Sequence, residues 1–72
     1  MSEAAERLRA EIAELLYLEP EELGFDDDLV EAGLDSIRVM TLIERRRREG
    51  VEVGFPELVE RPTIAAWAEL LG

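Results

Sequence analysis

The chain is 72 residues long and carries 18 acidic against 8 basic side chains, a formal net charge of −10. That balance speaks against nucleic acid as a partner, because phosphate backbones attract Lys and Arg surfaces. It favours basic partner surfaces instead, and it keeps the protein soluble. His, Cys and Lys are all absent. The usual general acid–base residue, the usual metal ligands and the amine for a Schiff base are therefore missing.

Such a length predicts one domain over residues 1–72, with a modest core and marginal stability. Without Cys there are no disulfides to reinforce it, which suits a reducing compartment. The opening Met1-Ser2-Glu3-Ala4-Ala5-Glu6 is acidic and polar, unlike a secretory signal. No apolar run approaches the roughly 20 residues of a membrane span. The expectation is a cytoplasmic monomer that neither enters a membrane nor acts as an enzyme. A catalytic reading would rest on carboxylates alone and would need a buried acidic pair.

The first predicted helix covers residues 2–18, with Ala5, Leu8, Ile12, Leu15 and Leu16 on one apolar face. Ser2 is its cap, Glu3 and Glu6 suit its positive end, and Arg7 and Glu11 stand at ion-pair spacing. Pro20 ends the pattern. Pro20 to Gly24 fits a single helical turn, with Pro at its start and Gly past its end. The long connection then runs to Leu34, and Leu23, Phe25, Leu29 and Leu34 are candidates to anchor it. The Asp26-Asp27-Asp28 run lacks the alternating oxygen ligands, the Gly and the Glu of a calcium loop, so no metal site is expected.

A second helix is predicted over residues 36–49, capped by Asp35 and stopped by Gly50. Val39, Leu42 and Ile43 form its apolar set, and Ile37 and Met40 lean to a neighbouring side. Arg45 to Arg48 suit the negative helix end, with Glu44 and Arg48 as an ion pair. Val51-Glu52-Val53 reads as an extended linker. Short helices follow over 56–60 and 63–71, the last with Thr63 as cap and Ile64, Trp67, Leu70 and Leu71 as its apolar face. The predicted fold is an all-α, small four-helix bundle with a long first loop and a short third helix.

One junction stands out. Ser36 falls in the first turn of the second helix, where ends are exposed and free backbone N–H groups favour an anionic phosphodiester. The neighbouring Asp35 carboxylate could help hold a divalent cation while another enzyme transfers a phosphoryl group. Asp and Ser are also common helix caps, so the dipeptide by itself implies nothing more.

The wider run Asp28-Leu29-x-x-x-Gly33-Leu34-Asp35-Ser36-Ile37 resembles the attachment motif of acyl and peptidyl carrier proteins, and the likeness extends over nearly the whole chain. In that family a phosphopantetheinyl transferase uses coenzyme A to place 4′-phosphopantetheine on the motif's serine. The resemblance implies a fold of acyl-carrier type, Ser36 as the attachment residue and Asp35 as its acidic neighbour. Gly50, Phe55, Glu57-Leu58, Pro62-Thr63, Trp67 and Leu70-Leu71 make the chain most similar to aryl carrier proteins of nonribosomal siderophore assembly, including those fused to isochorismatases. Arg46 and Ala68 depart from that pattern, each standing where a Trp is frequent.

The resemblance further implies a thioester-bound acyl group, aryl or aminoacyl, received from an adenylation enzyme and passed to a condensation partner. Ile37, Arg38, Met40, Phe55 and Val59 would be the partner-binding residues, with Ile37, Met40 and Phe55 as exposed apolar anchors. Two alternatives stay open: a carrier of polyketide or fatty-acid type, and a helical interaction module in which Ser36 is merely part of a cap.

Overall fold

A computed structural model describes residues 2–71. Among them are four helices, α1 (Glu3–Leu15), α2 (Ser36–Arg48), α3 (Phe55–Glu60) and α4 (Ile64–Leu71), with a 3-10 turn over Pro20–Glu22. The architecture is the all-α bundle that the hydrophobic periodicity predicts, with the long first connection and the short third helix.

Helix α1 begins as expected: the Ser2 side chain accepts from the Ala5 N–H at 3.2 Å. It ends at Leu15, three residues before the predicted stop at residue 18. The reason is Tyr17, whose φ of 60° lies in the left-handed region. The Tyr17 and Leu18 N–H groups turn back to the carbonyls of Glu14 and Ala13, at 3.2 and 2.8 Å. These two bonds form a Schellman closure, which satisfies carbonyls that the helix end leaves open. The same pair of bonds recurs around Gly33 (φ 115°) in the connection and around Gly50 (φ 86°) after α2. Glycine takes that conformation freely, whereas a side chain raises its energy by about 1 kcal/mol.

The connection between α1 and α2 is pinned at both ends and in the middle. Leu23, Leu29 and Leu34 are buried and belong to the same core as Leu8, Ile12 and Leu42. Burying a leucine contributes about 1.5–3 kcal/mol, so these side chains hold the segment without regular structure. Phe25 is half-buried, with the Arg9 guanidinium 4.6 Å from its ring centre. Two backbone bonds stitch the loop to the far end of the chain. The Leu29 N–H donates to the Pro62 carbonyl at 2.8 Å, and the Ala65 N–H, in the first turn of α4, donates to the Phe25 carbonyl at 2.9 Å.

Helix α3 starts at Phe55, one residue earlier than predicted, with Gly54 as its cap. Thr63 caps α4 by accepting from the Ala66 N–H at 3.1 Å. Trp67 is fully buried, and its indole N–H donates to the Leu58 carbonyl at 2.9 Å. Leu71 is half-buried and packs against the core, whereas Leu70, expected on the apolar face, is 45% exposed, because the helical turn sets it to the side of the face that Ile64, Trp67 and Leu71 share.

Two ion pairs differ from those read from helical spacing. Arg7 pairs with Glu3 rather than Glu11, and Glu44 pairs with Arg47 rather than Arg48. Glu11 instead reaches across to α2, where Arg46 and Arg45 donate to its carboxylate at 2.5 and 3.2 Å. The cross-helix contact is more sheltered than the surface alternative, so it is less screened by solvent. Burial pushes the Glu11 carboxyl up, but the hydrogen bonds and charges of Arg46 and Arg45 outweigh it and hold the group below its ordinary 4.5.

A depressed carboxyl pKa adds stability above the unfolded-state value, and this is lost as pH falls through the folded value. Glu11→Gln should therefore lower stability by about 1–2 kcal/mol at neutral pH. The gap to wild type should narrow as pH drops below about 4.5. Urea unfolding at a series of pH values checks this; a gap that is constant with pH would contradict it.

Candidate functional site

The site is built from the loop upward. Asp28 accepts from the N–H groups of Val30 and Glu31 at 2.8 and 3.4 Å, opening a turn. Gly33, with φ 115°, closes that turn and lets the chain reverse toward α2. Leu34 drops into the core, Asp35 is extended at φ −125°, ψ 175°, and Ser36 is the first residue of the helix.

Asp35 is the N-cap that the sequence predicts, and it does more than cap. One carboxylate oxygen accepts from the Arg38 N–H at 2.9 Å and the other from the Arg38 guanidinium at 2.7 Å. The same guanidinium donates through Nε to the Leu15 carbonyl at 2.7 Å. That carbonyl is in the last turn of α1. Arg38 thus locks the end of α1 to the start of α2 with charge-assisted bonds.

Ser36 stands in this frame but outside its bonds. Its residue is exposed, and the capping of the turn is done by Asp35. The buried Leu34 precedes it by two positions and the buried Val39 follows by three. An exposed hydroxyl is therefore carried on backbone fixed on both sides. An open groove of about 360 Å³ runs from Ser36 along α2, lined by Ile37, Met40, Thr41 and Glu44. A second groove of about 570 Å³ lies between the end of α1 and the start of α2. Glu14, Leu15, Tyr17, Asp35, Ile37 and Arg38 line it.

The residues expected to bind partners fall into two groups. Ile37 is 75% exposed and Met40 46%, and both line the groove that begins at Ser36. Val59 is 40% exposed on α3 and does not line that groove. Phe55 is not the exposed anchor expected of it: it is half-buried and packs against the core. Arg38 is likewise half-buried and engaged with Asp35 and Leu15.

Tyr17 (87% exposed) and Glu14 belong to the site's surroundings although spacing did not mark them. A left-handed tyrosine has no sequence signal. Among the described residues no group of three or more carboxylates gathers as a metal site, and no helix is long and apolar enough to cross a membrane. Asp27 and Asp28 hold loop N–H groups instead.

Residues 6–71 match the family described as "Phosphopantetheine attachment site". The chain is 56% identical over 66 residues to an isochorismatase of Bacillus subtilis (strain 168), covering 92% of this chain and 21% of that protein. It is 46% identical over 69 residues to a phenyloxazoline synthase of Mycobacterium sp. (strain MCS), covering 96% of this chain and 6% of that one. An acyl carrier protein of Streptomyces coeruleorubidus is 46% identical over 63 residues, 88% of this chain and 74% of its own length. The chain thus spans about a fifth or less of the first two relatives and most of the third.

Arg38→Lys should lower stability by about 1–2 kcal/mol, because an ammonium lacks the fork that serves Asp35 and Leu15 together. Amide exchange at the start of α2 should quicken relative to the middle of the helix. Denaturant unfolding and hydrogen exchange read both; a fully stable lysine variant would count against the lock.

Proposed function

We propose, because this chain belongs to the phosphopantetheine attachment family of carrier proteins, that Ser36 is the residue bearing the arm. The family is a carrier family and is not itself catalytic. The observation that carries the reading is the placement of one exposed serine hydroxyl at the first position of α2, within the matched segment. The residues present fit a phosphodiester-linked group. Ser36 is accessible, the helix start favours an anion, and the groove along Ile37, Met40 and Thr41 leaves room beside it. When attached, 4′-phosphopantetheine supplies the thiol that a chain without Cys lacks.

What the chain itself contributes is position. Leu34 and Val39 fix the backbone around Ser36, Asp35 caps the helix, and Arg38 holds the helix start against α1. Residues 1–72 act as one carrier domain that presents its acyl group to several enzymes in turn. Each interface is accordingly small and readily reversed. Ile37 and Met40 are the apolar contacts nearest the serine, with Val59 and the rim of Phe55 as outlying ones.

The finer reading is a carrier of an aryl or aminoacyl group in nonribosomal peptide-type synthesis. It is loaded by an adenylation enzyme and drained by a condensation partner. The similarity to a phenyloxazoline synthase, whose name carries an aryl group, supports it. A second reading, a free-standing acyl carrier of another pathway, is favoured by the match over most of an acyl carrier protein.

Incubation with coenzyme A, magnesium and a broad-specificity phosphopantetheinyl transferase should add the mass of one phosphopantetheinyl group. Ser36→Ala should abolish the increment and leave the melting curve in place. An unmodified wild type beside a modified control carrier would overturn the proposal. Met40→Asp should be modified normally yet deliver its acyl group to the downstream enzyme at least about tenfold more slowly, as loss of an apolar anchor predicts. Equal single-turnover transfer rates would remove Met40 from the interface.

A further inference from the structure

Tyr17 is the described residue other than glycine that holds a positive φ. At the equivalent position of the two other closures the chain uses Gly33 and Gly50. The strained tyrosine has little burial to offset its strain: it is 87% exposed, and one face of its ring takes a single long cation–π contact, with the Arg38 guanidinium 5.9 Å from the ring centre, which leaves the other face open. Strain without burial, next to a functional residue, points to a role in recognition.

The groove that Tyr17 walls is continuous with the attachment junction. Asp35 and Ile37, the two chain neighbours of Ser36, line it, together with Glu14, Leu15 and Arg38. The Arg38 charge is matched by its pair with Asp35, which leaves Glu14 as the wall's charge with no ion pair among the described residues, on a protein of net charge −10. An aromatic face, an aliphatic wall of Leu15 and Ile37 and an unmatched carboxylate suit an Arg or Lys side chain. Its stem lies on the apolar wall, and its cation meets the ring and Glu14.

Which partner brings that cation follows from reach. Enzymes that act on the acyl group meet it at the end of an extended arm. The transferase alone must bring its reacting atoms to the Ser36 oxygen. There the Oγ–P bond forms as the P–O bond to the adenosine bisphosphate of coenzyme A breaks, and the hydroxyl proton passes to a base on the transferase or to water. A protein so close to Ser36 covers the neighbouring groove. We infer that Tyr17 and Glu14 form a cation-accepting subsite that docks a basic side chain of the phosphopantetheinyl transferase. The inference rests on Ser36 being the attachment residue.

The test compares wild type with Tyr17→Asn, which tolerates the left-handed backbone but lacks the ring, and with Tyr17→Gly, which also relaxes the strain. With coenzyme A, magnesium and a broad-specificity transferase, both variants should raise the KM for the carrier about tenfold and leave kcat within about twofold, as removal of an aromatic contact predicts. Tyr17→Gly should do so while melting at a higher temperature than wild type. A merely structural tyrosine would not separate stability from KM in this way. Tyr17→Phe should restore the wild-type KM, because the ring face is retained. KM values within twofold of wild type for both variants, on a wild type that is modified at Ser36, would overturn this inference and leave the carrier reading standing. A wild type that takes up no group would overturn both.

Discussion

Four helices this short cannot close a core by themselves, and the connection between α1 and α2 makes up the difference. Among the described residues, Leu23, Leu29 and Leu34 supply three of the fourteen buried apolar side chains, from a segment whose only regular structure is the turn at Pro20–Glu22. A loop can enter a core only if its backbone polar groups find partners. Here the Leu29 N–H reaches Pro62, the Phe25 carbonyl receives Ala65, and Leu34 closes back on Leu29. The start of α2 depends on this arrangement, because Ser36 begins where the anchored loop ends. Loosening Leu34 would free the serine's backbone from below, whatever happened to the helix above it.

The charges are arranged by the same economy of partners. Carboxylates of Glu22, Asp27, Asp28 and Asp35 each accept a nearby backbone N–H, so much of the acidity of the first half serves to hold turns and helix starts. The arginines of α2 lie at its far end, where Glu11 of α1 meets Arg45 and Arg46. Arg38 and Arg46 therefore tie α1 to α2 near both ends of α2, with apolar packing between them. Arg46, where the resemblance leads one to expect Trp, has a specific partner in this chain: it shares the Glu11 carboxylate with Arg45.

Local chemistry was readable from the residues. Ser2, Asp35 and Thr63 cap where their side chains suit caps, and Pro20 opens the turn that its fixed φ suits. The placement of Ser36 needed only its own neighbours for the same reason. Non-local choices were hidden. Glu11 has a cation at helical spacing on α1 and another across the bundle, and sequence spacing contains no information on which is nearer in space. Arg38 reads as a surface cation until Leu15 is brought beside it. Tyr17 gives up helical geometry one residue before the predicted end of the helix at residue 18, and nothing about a tyrosine announces that. The exposed Leu70 shows the converse: an apolar residue counted into a helix face stays outside when it lies at that face's edge.

The bond from the Trp67 indole to the Leu58 carbonyl has an optical consequence. Helix α3 is six residues long and its last four carbonyls have no partner within the helix; that of Leu58 is closed by the sole tryptophan of the chain, which is fully buried. The emission of that single indole is therefore tied to the position of α3. A protein that leans on Val59 and shifts α3 changes the dipole facing the indole, and the emission wavelength moves without any label. The bundle carries a built-in fluorophore that reports on the seating of α3.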